Sequence, residues 1–589
     1  MESRTPQPPA SSPQTAPGRL DLNRRRFVAY FSALGMGSTL MPGALTAVAQ
    51  EAEQITPEMI ESAARIAGLS FTGEEMQGIA RRLNGPRSFL RSYELIRAAR
   101  LDNGLAPALV FHPLPAGFQL PTERKPMRIS QAPLPSPQSD EELAFLSVRQ
   151  LARLIEGRTV SSTDLTKLYL ARLKKYDPIL HCVVNLTEEL ALGQARKADQ
   201  EIAAGDYKGP LHGIPWGAKD LLAVRGTRTT WGASPYREQV IDRDATVFTR
   251  LSQAGAVLVA KLAMGALAQG DRWFGGMTRN PWNTEQGSSG SSAGPASATA
   301  AGLVGFSIGT ETRGSIISPS RRCGVSGLRP TFGRVSRHGA MALSWSMDKI
   351  GPLCRSAEDC ALVLDAIQGP DGKDTSLLDV PFNWDASADL TSLRVGYLAS
   401  RLEREIPDDP DNPRRVQARR ENQRKARQSL EVIRSLGVQL KPIELPEVPS
   451  SALSFILTTE AAAAFDGLTR SERDNLMHSE PESSRWPDAF RLHRFVPAVE
   501  YIQANRLRTR LMDQFNQVFD DIDLFVGSDL GATNLTGHPE IAFPNGFSSR
   551  GTPTSLSLTG KLFGEAEILR LAQAFQDKTD FHKRRPQMG

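Results

Sequence analysis

Residues 286–330 of this chain read QGSSGSSAGPASATAAGLVGFSIGTETRGSIISPSRRCGVSGLRP. Glycine, alanine, serine and threonine dominate it, and its large apolar side chains are concentrated in the short run LVGFSI at 303–308. Such a segment cannot form a hydrophobic core alone. It is suited to a place where backbones approach closely and where hydroxyl and N–H groups carry out chemistry.

Two clusters within this stretch contain the hydroxyl groups of most interest. The first is GSSAG at 290–294, and the second is GTETRGSI at 309–316. Between them, the small residues at 296–301 favour a helix and the apolar run at 303–308 favours a short strand. The predicted order of loop, helix, strand and loop brings both serine clusters to one end of a sheet.

The stretch closely resembles the signature of the amidase-signature hydrolases, which include fatty acid amide hydrolase, peptide amidases and the A subunit of the transamidosome amidotransferase. In that family a serine nucleophile follows a glycine, a second serine lies 24 residues earlier on a cis peptide, and an upstream lysine is the base. The resemblance implies that Ser315 is the nucleophile, that Ser291 is the bridging serine and that Lys219 is the base. Lys219 lies in the matching segment GIPWGAKD at 213–220.

The resemblance runs from about Leu146 to Ala574. It implies an α/β chain with the amidase-signature fold, in which a mixed, twisted β-sheet is surrounded by helices. It also implies that Glu311 and Ser292 contact the catalytic residues and hold them in position without reacting themselves. The backbone N–H groups of four consecutive residues would form the oxyanion hole: Thr312, Arg313, Gly314 and Ser315.

The roles implied for Ser315, Ser291 and Lys219 agree with the chemistry of serine and lysine side chains. A serine hydroxyl is a weak nucleophile and needs a base. Lysine can be that base only when it is neutral, and burial among apolar groups lowers its pKa by up to several units. Lys219 follows an apolar, glycine-containing run that is typical of a buried strand. Ser291 would then relay the proton from Ser315 to Lys219.

The second cluster departs from the family pattern at three positions. Glu311 replaces the usual aspartate, Arg313 replaces a glycine and Ile317 replaces an arginine that would pair with the acid. We therefore hypothesise that Arg313 supplies the missing positive charge from a new position. The first cluster also differs from the family pattern, so Ser291 is chosen by its spacing from Ser315, and Ser288 is the weaker alternative.

Other interpretations of the glycines and serines are possible. GSSAG at 290–294 fits the nucleophile elbow G-x-S-x-G with Ser292 as nucleophile, but that motif requires an apolar strand directly before it. Here the preceding residues 280–286 read NPWNTEQ, which is a polar loop. No Gly-Lys-Ser/Thr follows the glycines, so a phosphate-binding P-loop is not predicted. A flexible connector is the remaining alternative.

The N-terminus has the form of a twin-arginine export signal, assigned to residues 1–49. A polar, Pro/Ser-rich start is followed by Arg24-Arg25-Arg26 and then by an apolar stretch that ends in an A-x-A cleavage site at Ala49. The signal predicts a location in the periplasm or outside the cell. The alternatives are an N-terminal helix of the mature fold or, without cleavage, a single membrane anchor.

The rest of the chain is divided into three parts. Residues 50–112 are predicted to be an N-terminal helical segment with two short amphipathic helices, the second capped by Thr72 and Glu75 in a capping box. Residues 113–142 are Pro-rich and are predicted to be a linker or an extended arm. Residues 143–582 form the predicted catalytic domain.

The composition of the chain bears on whether it can form a core, bind nucleic acid or hold a metal ion. The 589 residues are 40% hydrophobic, which is ample for a core, and the net charge of +5 comes without an aromatic and basic nucleic-acid module. The four cysteines form no C-x-x-C pair, so buried free thiols are expected, with a disulfide as the open alternative. The eight histidines show no close metal spacing. The sequence therefore predicts no metal and no cofactor.

The predicted function is hydrolysis of a carboxylic amide through an acyl-enzyme on Ser315. The expected partner is a small-molecule amide substrate, with no nucleic acid and no stable membrane insertion after signal cleavage, and a homodimer is compatible with the sequence. Two alternatives stay open. One is an A-subunit-like homologue of the glutamyl/aspartyl-tRNA amidotransferase, and the other is a non-catalytic binding protein on the same fold.

Overall fold

A computed structural model describes residues 54–85, 101–131, 133–447, 449–479 and 486–588 of this chain. Their contacts divide the chain into two units, and the division falls between Arg100 and Leu101. The predicted export signal at 1–49 lies outside the described residues. In the described part of the chain, none of the helices combines the length and the apolar character needed to span a lipid bilayer.

The first unit contains the two helices expected near the N-terminus, α1 (Pro57–Ala67) and α2 (Gly73–Asn84). Helix α2 begins with the predicted capping box. The Glu75 N–H donates to Thr72 Oγ1 at 3.3 Å, and the Thr72 N–H donates to Glu75 Oε2 at 2.7 Å. Two N–H groups that the helix itself cannot satisfy are thereby paired.

The second unit is built on an eleven-stranded sheet. In chain order its strands are β1 (Val183–Leu186), β2 (Pro215–Lys219), β3 (Val257–Leu262), β4 (Phe306–Glu311), β5 (Ser326–Arg329), β6 (Lys349–Cys354), β7 (Arg394–Leu398), β8 (Gln439–Ile443), β9 (Leu524–Val526), β10 (Glu540–Phe547) and β11 (Pro553–Gly560). Two further pairs of short strands lie between β3 and β4: Arg272–Trp273 with Gly276–Met277, and Arg279–Asn280 with Asn283–Gly287.

The order of strands across the sheet is β1-β3-β2-β4-β6-β5-β10-β11-β9-β7-β8. Parallel pairing joins β3, β2 and β4 on one side and β9, β7 and β8 on the other. The remaining neighbours are antiparallel. The predicted mixed sheet is therefore confirmed. Parallel strands need helical crossovers, which cover both faces of such a sheet.

Helices surround the sheet, as predicted. They are α3 (Asp140–Ala144), α4 (Val148–Glu156), α5 (Ser162–Leu180), α6 (Glu188–Ala203), α7 (Thr246–Gln253), α8 (Ala293–Ala300), α9 (Ile317–Cys323), α10 (Ala357–Ile367), α11 (Ala399–Leu402), α12 (Pro413–Ser435), α13 (Phe455–Ala464), α14 (Asp466–Arg470), α15 (Asp488–Leu492), α16 (Ala498–Gln517), α17 (Leu530–Thr536) and α18 (Glu565–Lys578).

Alternate residues of β2 and β4 face different layers. On one face the rings of Trp216 and Phe306 stack with their centroids 6.0 Å apart, inside the largest apolar cluster of the unit. On the other face Ser307 Oγ donates to the Pro295 carbonyl of α8 at 2.9 Å. Both faces of these strands are therefore buried, which explains their continuous burial along the sequence.

The signature stretch folds in the predicted order, with one shift. Helix α8 covers the predicted helix, but the strand begins at Phe306 rather than at residue 303. Gly302 has a left-handed φ of 63°, and the Gly305 N–H donates to the Pro215 carbonyl at 2.8 Å. The chain is still turning there, and regular pairing with β2 starts only at Phe306.

Residues 113–142 are predicted to be a Pro-rich linker or an extended arm, and the described residues among 113–139 belong to none of the named helices or strands. The Arg128 N–H donates to the Trp384 carbonyl, and the Ala386 N–H donates to the Arg128 carbonyl, both at 2.9 Å. This short bridge pairs the segment with residues 384–386 of the same unit. The four cysteines, Cys182, Cys323, Cys354 and Cys360, are buried and free, as expected.

Candidate active site

Lys219 is the last residue of β2, and its side chain is fully buried. Its ammonium nitrogen Nζ has four hydrogen-bond partners. They are Ser291 Oγ at 2.9 Å, Ser292 Oγ at 3.0 Å, Thr310 Oγ1 at 2.9 Å and the Thr310 carbonyl at 3.2 Å. The sheet therefore delivers the lysine to the serine cluster that the sequence predicted it would meet.

The surroundings of Lys219 favour its neutral form. Burial lowers the pKa of this lysine to about 7, although Asp348 and Glu311 act in the opposite direction. Its hydrogen-bond partners are hydroxyls and a carbonyl, which stabilise an ammonium less than a carboxylate would. A lysine with such a pKa is able to accept a proton near neutral pH.

Ser291 follows a cis peptide bond from Gly290. Gly290 fits there because a Cβ atom on it would lie 1.7 Å from the Gly270 carbonyl oxygen. Ser288, the weaker alternative, is buried, and its hydroxyl donates to the Ser289 carbonyl at 3.0 Å. Of these two serines, the structure gives Ser291 the contact with Lys219.

Ser292 is buried and has its hydroxyl fully engaged. Its Oγ accepts from Lys219 Nζ and from the Thr310 N–H, at 3.0 and 3.1 Å, and is also within 3.1 Å of the Thr310 carbonyl. A Cβ atom on Gly309 would lie only 2.6 Å from this Oγ, so the close approach depends on glycine. A serine held this way is poorly placed to attack a substrate, which argues against the nucleophile elbow.

Ser315 lies in the loop between β4 and α9. The Ser292 N–H donates to the Ser315 carbonyl at 3.1 Å, which fastens this loop to the start of α8. Ser315 keeps 9% of its surface exposed, whereas Lys219 and Ser291 keep none. Of the three predicted catalytic residues, Ser315 is therefore the one nearest to solvent.

The backbone around Ser315 offers free donors. Among the described residues, no acceptor pairs with the N–H groups of Arg313, Gly314 and Ser315. Gly314 has a φ of 88°, a left-handed backbone conformation that glycine adopts more readily than other residues. Consecutive unpaired N–H groups are the kind of donor set that stabilises an oxyanion.

Glu311 organises the base of the same loop. Its Oε2 accepts the N–H groups of Ile316 and Ile317 at 2.9 and 3.0 Å, and its Oε1 accepts from Arg329 at 2.7 Å and from Asn534 at 2.9 Å. Burial would raise the pKa of this carboxyl, but the nearby cations and these donors outweigh it and lower the pKa to about 2.

The cation on Glu311 is thus Arg329, which is fully buried, and not Arg313, which is exposed. The hypothesis that Arg313 supplies the missing charge is therefore wrong. Arg329 reaches Glu311 because β6 brings β4 and β5 into the same sheet. Ile317 contributes its backbone N–H to Glu311 in place of a charged side chain.

Two contributors were missed at the level of sequence. Thr310 binds Lys219 through both its hydroxyl and its carbonyl. Asp348 is buried and accepts from the Thr312 hydroxyl at 2.6 Å and from two backbone N–H groups, at 2.8 and 2.9 Å. Thr310 and Asp348 both lie in stretches of sequence that resemble the family, so the resemblance could have identified them.

We expect Arg329→Met to lower the free energy of unfolding by about 3–5 kcal/mol, because it leaves Glu311 as an uncompensated buried charge. Arg313→Ala, at an exposed position, is the matched control and should change it by no more than about 0.5 kcal/mol. Chemical denaturation of both variants checks this. Equal losses in the two variants would contradict the pairing.

Histidine, cysteine, aspartate and glutamate are the side chains that most often bind metal ions in proteins. Within the described ranges, no three of them come together in a suitable cluster. The groups that the site brings together are a buried amine, the hydroxyls of Ser291, Ser292, Thr310 and Ser315, and a loop of backbone N–H groups.

Comparison with known proteins places this arrangement in a family. The profile of the Amidase family matches residues 164–528, which is more than half of the chain. The chain belongs to the amidase family. Lys219, Ser291 and Ser315 all lie within the matched residues.

Relatives of known type agree with this assignment to the amidase family. The A subunit of the glutamyl-tRNA(Gln) amidotransferase of Methylococcus capsulatus is 32% identical over 500 residues, covering 75% of this chain and 98% of the relative. The corresponding protein of Carboxydothermus hydrogenoformans is 30% identical over 503 residues, covering 76% of this chain and 100% of the relative.

Solved structures of other amidase-family members share the fold. The native peptide amidase from Stenotrophomonas maltophilia superposes with a TM-score of 0.64 at 28% identity, covering 75% of this chain and 98% of that one. A chain from a vestigial protein complex, described as revealing the evolutionary origins of an s-triazine catabolic enzyme, gives a TM-score of 0.66 at 27% identity, covering 73% of this chain and 98% of that one. The predicted amidase-signature fold is thereby confirmed.

Proposed function

We propose that this chain is an amidase that hydrolyses a linear carboxylic amide through an acyl-enzyme on Ser315. The observation that carries the proposal is the 2.9 Å contact between Lys219 Nζ and Ser291 Oγ in a fully buried setting. Membership of the amidase family supports carbon–nitrogen bond hydrolysis in general. The roles of Lys219, Ser291 and Ser315 in that hydrolysis are part of the proposal.

In the first half of the reaction, Ser315 Oγ attacks the amide carbonyl and forms a new C–O bond. Its proton passes to Ser291 Oγ, while the Ser291 proton passes to the neutral Lys219. The carbonyl oxygen becomes an oxyanion, which the free N–H groups of Arg313–Ser315 are suited to receive. Each such donor is worth roughly 3–4 kcal/mol in a transition state.

The tetrahedral intermediate then collapses and the C–N bond breaks. The Lys219 ammonium returns its proton through Ser291 to the leaving nitrogen, so the amine departs neutral. A water molecule next attacks the acyl group on Ser315, with Lys219 and Ser291 acting as base in the same way. The carboxylic acid is released and Ser315 regains its proton.

The reactivity of Ser315 should depend on pH through Lys219. Because burial brings the pKa of Lys219 to about 7, only its neutral form, dominant above that pH, can accept the proton. We expect the second-order rate of Ser315 labelling by a fluorophosphonate probe to rise with pH and level off above about 7. At pH 5 it should be about one hundredth of the plateau, since that fraction of the lysine is neutral.

Labelling rates measured from pH 5 to 9 test this directly and require no knowledge of the natural substrate. Melting temperatures across the same range separate loss of activity from loss of fold. A flat profile, or a rate that increases as the pH falls, would contradict Lys219 as the base.

A second candidate is supported by the curated relatives, which are A subunits of glutamyl-tRNA(Gln) amidotransferases. An A-subunit-like role would make glutamine the amide and would require further subunits as partners. The export signal predicted at 1–49 opposes this role, because charged tRNA and ATP are cytoplasmic. Hydrolysis of free glutamine with turnover at least comparable to that of small acyl amides would favour this second role.

A further inference from the structure

A cavity of about 470 Å³ borders the candidate active site. Thr310 and Thr312 line it on one side. Thr310 holds Lys219, and Thr312 begins the loop that carries the free N–H groups, so the cavity adjoins the reacting centre. A volume of this size is typical of sites for small organic ligands.

Part of the lining comes from a distant part of the chain, residues 102–106. Asp102, Gly104, Leu105 and Ala106 all line the cavity. These residues lie outside 164–528, the part that the Amidase family profile matches. At the level of sequence they were assigned to the N-terminal helical segment, whereas their contacts belong to the second unit.

The segment is folded into a tight turn by Asp102. Its Oδ1 accepts the Gly104 N–H at 2.8 Å, and its carbonyl accepts the Leu105 N–H at 3.0 Å. Its Oδ2 pairs with Arg243 at 2.7 Å, and Arg243 also lines the cavity. One side chain therefore shapes the turn and fastens it to the body.

Asn103 supplies a second anchor. Its amide makes a two-point contact with Ala342, accepting from the N–H at 2.8 Å and donating to the carbonyl at 3.1 Å. It also donates to the carbonyl of Ala464 at 3.2 Å. Ala464 is the last residue of α13, where the helix leaves carbonyls unpaired. Asn103 thus ties the turn to Ala342 in the cavity lining and to the end of α13.

Leu105 is the apolar side chain that this anchored turn presents. It is 58% exposed although it lines the cavity, so a bound group would cover it. Ala106, Leu221, Met341 and Ile350 add further apolar surface around the same space. Charged side chains also line the cavity. Asp102 pairs with Arg243 and Arg337 with Asp374, and Asp348, Lys349 and Lys373 are further ionisable groups of the lining.

From these contacts we propose that residues 102–106 form a specificity wall, which limits the length of the acyl group of the substrate and packs against its apolar part through Leu105. This inference rests on the proposed function. The acyl group is assigned to the cavity because it stays on Ser315 after the amine has left, and the loop that carries Ser315 begins at Thr312 in the cavity lining. Leu105 is the residue that sets the size, and Asn103 is a positioning residue.

The test uses p-nitrophenyl esters of straight-chain acids from acetyl to decanoyl, since esters share the acyl-enzyme chemistry. The variants are Leu105→Ala, Leu105→Trp and Asn103→Ala, and the matched control is Leu109→Ala, at an exposed leucine outside the cavity wall. Melting temperatures show that each variant is folded. The readout is kcat/KM for the decanoyl ester divided by that for the acetyl ester.

We expect Leu105→Ala and Asn103→Ala to raise this ratio about tenfold or more. Leu105→Trp should lower the ratio, and Leu109→Ala should leave it unchanged. If wild type is active but Leu105→Ala and Leu105→Trp keep its chain-length profile, the wall is refuted while the proposed function stands. If wild type neither hydrolyses the acetyl ester nor is labelled at Ser315, both fall.

Discussion

Ser315→Ala should abolish turnover of amides and esters, with a loss of about 10⁴-fold or more in kcat. The substitution removes the atom that forms the acyl-enzyme, and in serine hydrolases the remaining groups give only residual catalysis without it. The fold should be unaffected, because the substitution removes one hydroxyl from the most exposed of the three predicted catalytic residues. Circular dichroism spectra and melting temperatures of wild type and Ser315→Ala check that the fold is retained.

Ser288→Ala is the matched control for this experiment. Ser288 belongs to the same serine-rich stretch, and its hydroxyl donates only to the neighbouring Ser289 carbonyl. It should retain turnover within about twofold of wild type, as a substitution outside the reacting groups does. If Ser315→Ala keeps a tenth or more of wild-type turnover, Ser315 is not the nucleophile.

Lys219→Met should lower kcat/KM by about 10²–10⁴-fold at pH 8, which is the usual contribution of a positioned general base. Methionine keeps much of the length of lysine and fills the same buried space without an amine. The partners of Lys219 are hydroxyls and a carbonyl, so no buried carboxylate loses its cation in direct contact. The protein should therefore stay folded while activity falls.

Lys261→Met provides the contrasting control on the neighbouring strand. Lys261 is equally buried, but it forms an ion pair with Asp220 at 3.0 Å. Removing it should cost about 3–5 kcal/mol of stability, because Asp220 is left as a buried charge. A loss of activity below about tenfold in Lys219→Met, with the fold intact, would argue against this lysine as the base.

Much of the fold could be predicted from local sequence. The capping box of Thr72 and Glu75 and the helix at α8 depend on neighbours a few residues away, and the structure has both. The start of β4 was misplaced by three residues because pairing with β2, and not apolar content, decides where the strand begins. Strand limits depend on contacts across the sheet, which periodicity does not reveal.

The candidate site was predictable to the extent that its motifs resembled those of a known family. Lys219 and Ser291 were named from motif and spacing, and they lie in hydrogen-bonding contact. The partner of Glu311 could not be found in this way. Arg329 lies on β5, separated from β4 in the sheet by β6, so only the strand order brings its charge to the acid. Arg313 is near in sequence but exposed.

The wall formed by residues 102–106 was equally hidden from sequence reasoning. The segment contains no motif, and its position depends on Asn103 reaching Ala342 and Ala464, which are 239 and 361 residues away. Contacts of such range depend on the completed fold. They are also where members of one family can differ while their catalytic residues stay the same.

The most direct measurement is reaction of the purified protein with a fluorophosphonate probe, followed by proteolysis and mass-spectrometric mapping of the label. An activated serine reacts with such a probe, whereas an ordinary serine hydroxyl does not. We predict one label, on Ser315. A label on Ser292, or no label in protein shown to be folded, would contradict Ser315 as the nucleophile.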